Sequence, residues 1–157
     1  MSEPKITKQD ILEKTPGMLQ KQLYIVHTKP TNGLGPVMEN IGPHLEFQVK
    51  IEQDGVMFAA GPIWADDEET WEGEGMVVVR AENLAHAREI AASDPMHSSG
   101  ARSFTVRPWL VNEGGFNLRV TFSDGRPMGK WFRQQKEALR EGRLPPEVRS
   151  ILEESQT

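Results

Sequence analysis

The 157-residue chain carries 23 acidic and 18 basic residues, a formal charge of −5, which excludes a surface built wholly for phosphate backbones but leaves room for a local basic patch. It has no cysteine, so disulfide frameworks, thiolate metal sites and cysteine nucleophiles are excluded. The length favours one core of ordinary size with extensions at its ends.

The first twenty residues are charged throughout and lack the run of about seven apolar residues that forms the centre of a signal peptide; nothing later approaches the roughly 18 needed to span a membrane. The expected compartment is the cytoplasm. Within this extension, residues 1–20, a short polar helix with Ile11 and Leu12 as its apolar anchors ends near Pro16 and Gly17. "QLYIVHT" then sets Leu23, Ile25 and His27 against Tyr24, Val26 and Thr28, the period of a strand with two unlike faces. His27 on that strand reads as a satisfied, half-buried histidine. "KPTNGLGP" reads as a loop.

"PHLEFQVKIEQDG" admits two readings. Leu45, Phe47, Val49 and Ile51 alternate as in a strand, with Asp54-Gly55 as a hairpin turn. Pro43 and Gly55 equally suit the first turn and the stop of a three-turn helix. "VMFAAGPI" is a continuous apolar run broken at Gly61-Pro62, as expected for a buried strand. "WADDEETWEGEG" puts six carboxylates and Trp64 and Trp71 in one loop, which lacks calcium-loop spacing and reads as solvated. "MVVVR" is a compact strand.

"AENLAHAREIAAS" predicts a helix with Asn83 as its N-cap and Leu84, Ala87, Ile90 and Ala91 on one stripe; His86 falls on its exposed side. The helix stops near Asp94, because a residue before proline is pushed out of helical geometry. A carboxylate there is unfavourable beside the carbonyl end of a helix, so Asp94 is either an accident of the turn or a group kept for its chemistry. "SFTVRPWL" and "FNLRVTF" predict two further strands, and from Gly125 onward the pattern is one of polar helices.

Taken in order, His44-Leu45, the apolar strand ending Ala-Gly-Pro, the helix ending Asp94-Pro95, and the strand ending Arg107-Pro108-Trp109 resemble the YCII-related domain family from about Leu23 to Trp109. The resemblance implies an α+β, ferredoxin-like sandwich of the dimeric α+β barrel type, similar in fold to muconolactone isomerase. It makes residues 43–54 a helix, over the alternation. The expected organisation is an N-terminal helical extension, a domain over 21–124 with an extra C-terminal strand, and a helical tail over 125–157.

The resemblance also implies an active-site pair, His44 and Asp94. A neutral imidazole moves protons near pH 7, and a carboxylate on its far nitrogen fixes the tautomer and stabilises the imidazolium. Gly61, Pro62, Trp64 and His97 are the candidates for substrate contact, with a surface-turn position the alternative for His97. Met96 stands where relatives often carry an aromatic residue. No phosphate loop, serine triad or histidine metal motif is present, so no cofactor and no metal are expected. The implied activity is isomerisation, lactone rearrangement or elimination of HX on a small cyclic or aromatic hydroxy-carbonyl metabolite by a cytoplasmic homodimer or higher homo-oligomer.

The tail resembles something else. Gly-Lys-Trp131, Gln135, Gly142, Leu144, Glu147 and Leu152 match the helicase-associated helical motif, with Lys136 in place of arginine. From Arg126 to Arg149 seven basic residues stand against three glutamates, making Arg133, Lys136 and Arg140 candidate nucleic-acid contacts. The alternative function is therefore an interaction module, although an amphipathic hairpin capping the core accounts for the same pattern.

Overall fold

The computed structural model describes residues 4–115. Its elements are α1 (Lys8–Lys14), β1 (Lys21–Pro30), α2 (Leu34–Glu39), α3 (Ile41–Gln53), β2 (Met57–Pro62), β3 (Gly75–Val79), α4 (Leu84–Ala92), α5 (Pro95–Ser98) and β4 (Arg102–Val111). The expected strand "FNLRVTF" and the tail, including Arg133, Lys136 and Arg140, lie outside the described residues.

The four strands form one antiparallel sheet in the order β2-β3-β1-β4. With α2 and α3 between β1 and β2, and α4 and α5 between β3 and β4, this is the βαββαβ arrangement of a ferredoxin-like α+β fold. Alternation along β1 divides the packing. Tyr24 and Val26, with Val77 and Val79 of β3, meet Ile51 of α3 and Ala87 and Ala91 of α4. Leu23 packs with Val78 and Val111, residues of opposite parity that therefore lie on the other face.

The helices begin and end where their sequences dictate. Thr7 and Asp10 form a reciprocal capping box on α1, although none of its residues is buried. The Asn83 side chain accepts from the His86 backbone N–H at 2.9 Å and caps α4. At the end of α3, Gly55 takes φ +71°, and the N–H groups of Gly55 and Val56 donate to Glu52 and Ile51 at 3.0 and 2.9 Å. This paired closure needs a left-handed residue, which glycine adopts without strain.

Two expectations need correction. Residues 34–36, read as the end of a loop, begin α2, which is anchored by the fully buried Val37. The apolar run of β2 is not a buried strand: it is the sheet edge, exposed from Phe58 to Pro62, with a register shift between Met57 and Ala59. An edge strand is covered on one side only, so apolar composition there reflects what it lines rather than a core. The helix that the resemblance implies over residues 43–54, against the alternation, is present as α3. In α3, Phe47 and Ile51 form one i, i+4 stripe against the core, while Leu45 and Val49 form a second, half-exposed stripe. Two such stripes offset by two residues imitate the period of a strand.

Gly73 fixes the loop ahead of β3. Its φ is +91°, and a Cβ there would lie 2.5 Å from Cγ of Pro30 and 2.9 Å from Cδ2 of Leu34. Left-handed strain and overpacking together predict that Gly73→Ala costs about 2–4 kcal/mol. Urea unfolding at equilibrium measures this directly, and a loss of under about 0.5 kcal/mol would show that the loop relaxes freely.

Candidate active site

Two helices bring the site together. α3 starts with Pro43 in its first turn and carries His44 immediately after it. Ser93 is the C-cap of α4, Pro95 starts α5, and Asp94 occupies the joint, extended at φ −65°, ψ 129°. The Asp94 carboxylate is 2% exposed. His44 Nδ1 lies 2.8 Å from Oδ1 and 2.9 Å from Oδ2, Gln48 Nε2 donates to Oδ2 at 3.1 Å, and the Met96 backbone N–H donates to Oδ1 at 2.9 Å.

Asp94 is thus not stranded at a helix end as its sequence position suggests. It is the N-cap of the next short helix, which gives a backbone reason for its place. Gln48, one helical turn beyond His44, is a site residue that sequence reasoning missed; its i+4 spacing from His44 was the available signal.

Burial would raise the Asp94 pKa, but hydrogen bonds from His44 and Met96 and the nearby imidazole charges outweigh it and hold the carboxyl below its ordinary value. The carboxylate is therefore ionised at neutral pH and accepts only, so Nδ1 of His44 carries the proton. In the neutral form of the ring, the second nitrogen, Nε2, keeps its lone pair. It makes no hydrogen bond among the described residues, and the His44 side chain is 13% exposed.

His44 lines a cavity of about 450 Å³ between α3 and the β2–β3 edge of the sheet. Leu45 and Val49, the second stripe of α3, form one wall. Gly61, Pro62 and Trp64 line the opposite side, and Thr28 and Arg102 also border the cavity. The geometry therefore joins His44, Gly61, Pro62 and Trp64 around one space.

It does not bring His97 there. The His97 Nδ1 lies 2.5 Å from the Ala91 carbonyl oxygen, and its ring packs on Phe104 with centroids 4.5 Å apart. Burial lowers its pKa, opposed by the Ala91 carbonyl and the charge of Asp94. Its folded pKa lies below the unfolded value of about 6.5, so the unfolded chain binds the proton first as pH falls. Stability is accordingly full above about pH 6.5 and declines below it. His97→Phe is expected to flatten the unfolding free energy between pH 7 and pH 5, measured by urea titration; a slope equal to that of the parent would refute this.

The remaining groups separate clearly. His27 Nε2 is 3.0 Å from Oε2 of Glu74, while Lys29 Nζ is 2.9 Å from Oε1, the satisfied strand histidine expected. Hydrogen bonds from Lys29 and then His27 lower the Glu74 pKa. In the acidic loop, Asp67 accepts from the N–H groups of Glu69 and Thr70 at 2.9 and 2.8 Å, which closes a turn. No cluster of metal-ligating side chains occurs among the described residues, and no helix among them is long and apolar enough to cross a membrane. Arg102, which no motif flagged, is 5% exposed, with its guanidinium 5.4 Å from the centre of the Trp71 ring.

No curated protein matches the chain. Among solved structures, 5-chloro-2-hydroxyhydroquinone dehydrochlorinase from Burkholderia phenoliruptrix, in complex with 2,5-dihydroxybenzoquinone, is similar at 19% identity and a TM-score of 0.45. That likeness covers 55% of this chain and 92% of the other. The profile of the YCII-related domain matches residues 22–110, close to the span over which the motifs were read. That span is more than half of the chain, and the protein belongs to the YCII-related domain family.

Proposed function

We propose that the protein is an enzyme that moves a proton on a small cyclic or aromatic hydroxy-carbonyl compound, with His44 as base and Asp94 as its partner. The observation that supports this is the His44–Asp94 pair at 2.8 Å, closed off on the Asp94 side and bordering the cavity on the His44 side. Nε2 takes a proton from a carbon next to a carbonyl, and the C–H electron pair moves into the carbonyl to give an enolate. Asp94 stabilises the imidazolium that results. Return of the proton to a different carbon completes an isomerisation or lactone rearrangement. Departure of a halide with its bonding electrons completes an elimination, and the imidazolium then releases its proton to solvent.

The apolar wall of Leu45 and Val49 and the flat side chain of Trp64 suit a ring of a few carbons, since pockets orient such ligands with few polar groups. Both partial reactions need only the chain's own proton-transfer groups. The test is a panel of lactones, hydroxyquinones and halogenated phenols incubated with the protein in D₂O. Proton NMR would follow deuterium entry at carbon and an ion electrode halide release. Exchange at carbon that disappears in His44→Ala is expected; exchange or release that persists undiminished in that variant would refute the assignment.

A further inference from the structure

We infer that the cavity takes its substrate as an anion, with a carboxylate or acidic phenolate oxygen seated on Arg102 and Thr28 and a neighbouring hydroxyl given to Gln48. This deepens the proposed function and rests on the same cavity being the substrate site.

Buried polar atoms almost always have partners, so those without one call for an explanation. Among the described residues five side-chain atoms are in that position, and three belong to residues that line this cavity: Thr28 Oγ1, Gln48 Oε1 and Arg102 Nε. Their chemistry is complementary to one kind of ligand. Arg102 Nε–H only donates, the Thr28 hydroxyl has a proton to give, and Gln48 Oε1 only accepts. An anionic oxygen with a hydroxyl beside it satisfies all three.

Arg102 carries the sign of the charge. Burial lowers its pKa, partly countered by Asp94, but a guanidinium stays protonated across the accessible range. A buried cation needs a counter-charge. No carboxylate among the described residues forms an ion pair with it. Asp94 already accepts from His44, Gln48 and Met96, and Glu74 is held by His27 and Lys29. The guanidinium is also fixed in place. Trp71, against which it lies, donates from Nε1 to the Glu74 carbonyl at 2.7 Å. Gly75, opposite Thr28 in the β1–β3 ladder, leaves open the space that its Cβ would take 3.8 Å from Nη1 of Arg102.

The test is titration calorimetry of the full chain with 2-hydroxybenzoate and with 2-hydroxybenzamide, which keeps the shape and hydroxyl but lacks the charge. The parent is expected to bind the anion at least about tenfold more tightly than the amide, the scale of a hydrogen bond to a charged group. Arg102→Gln should remove that preference while leaving the amide affinity within about threefold, and Arg102→Lys should keep part of it. Equal affinities in the parent, no binding of 2-hydroxybenzoate up to about 10 mM, or a preference that survives Arg102→Gln would each overturn the inference. The parent comparison and Arg102→Lys decide the matter if Arg102→Gln does not fold. His44→Gln should retain the anion preference. A protein that prefers the anion but exchanges no carbon-bound proton would therefore sink the catalytic proposal alone, whereas exchange without the preference would sink this one alone.

Discussion

His44→Ala is expected to lower kcat/KM by about 10²- to 10⁴-fold, the range that a positioned general base contributes. Asp94→Asn is expected to lower it by about 10⁴-fold for a different reason. The amide that replaces the carboxylate keeps an oxygen for the Met96 N–H, now bonded at 2.9 Å, and asparagine caps a helix as well as aspartate does. Folding should therefore survive. The new amide NH₂ would face His44 Nδ1 and turn it into an acceptor, so that the proton moves to Nε2 and the base is lost. A fall in kcat with an almost unchanged KM, on the substrate found by deuterium exchange, identifies that mechanism. Wild-type turnover in Asp94→Asn would rule out the pair, and a melting temperature near that of the parent would show that loss of turnover was not loss of fold.

Met96→Ala is expected to have the largest effect on stability, about 2–5 kcal/mol. The Met96 side chain is fully buried and packs with Val37 of α2 and with Ala101. Ile41 and Trp71 complete the cluster. Truncation would leave a void at the meeting point of three segments, none of which can collapse without shifting the others. The melting temperature should fall by about 10 °C or more, whereas Met96→Leu, close in volume, should cost less than about 1.5 kcal/mol. Equal melting temperatures for the alanine variant and the parent would show that this cluster adds nothing to folding. Met96 does not border the cavity, so its side chain acts on packing beneath the site rather than on the shape of the cavity.

What was legible in the sequence was what depends on near neighbours. The alternation of β1, the apolar β3 and the Asn83 cap with its Leu84, Ala87, Ile90 and Ala91 stripe all encode themselves within a dozen residues. α2 was hidden because Gly33, Gly35 and Pro36 are turn residues by composition; the helix exists because Val37 finds a buried place beside Met96. β2 was misjudged because an apolar run says nothing about whether protein or a cavity lies beside it. α3 was decided by resemblance, since its residues serve a core and a cavity at once and local period cannot separate the two.

The site divides in the same way. His44 and Asp94 are fifty positions apart, and only the family pattern linked them. Gln48 and Arg102 belong to no pattern: one is recognised by sharing the Asp94 carboxylate, the other by burial without an ion-pair partner among the described residues. Both properties exist only once the chain is folded. His97, beside Asp94 in sequence, turns toward Phe104 instead, because one turn of α5 is enough to carry it round.

The joint at Asp94 has a consequence for how such sites age. One carboxylate starts a helix and holds an imidazole, so natural selection for a folded chain preserves it whether or not any reaction is still under selection. His44 has no comparable duty: its side chain bonds only to Asp94 among the described residues. In a descendant that had abandoned its chemistry, the aspartate would persist as a relic of architecture while the histidine drifted. Under the proposed mechanism, the histidine is therefore the residue whose presence distinguishes a working enzyme from a retired one.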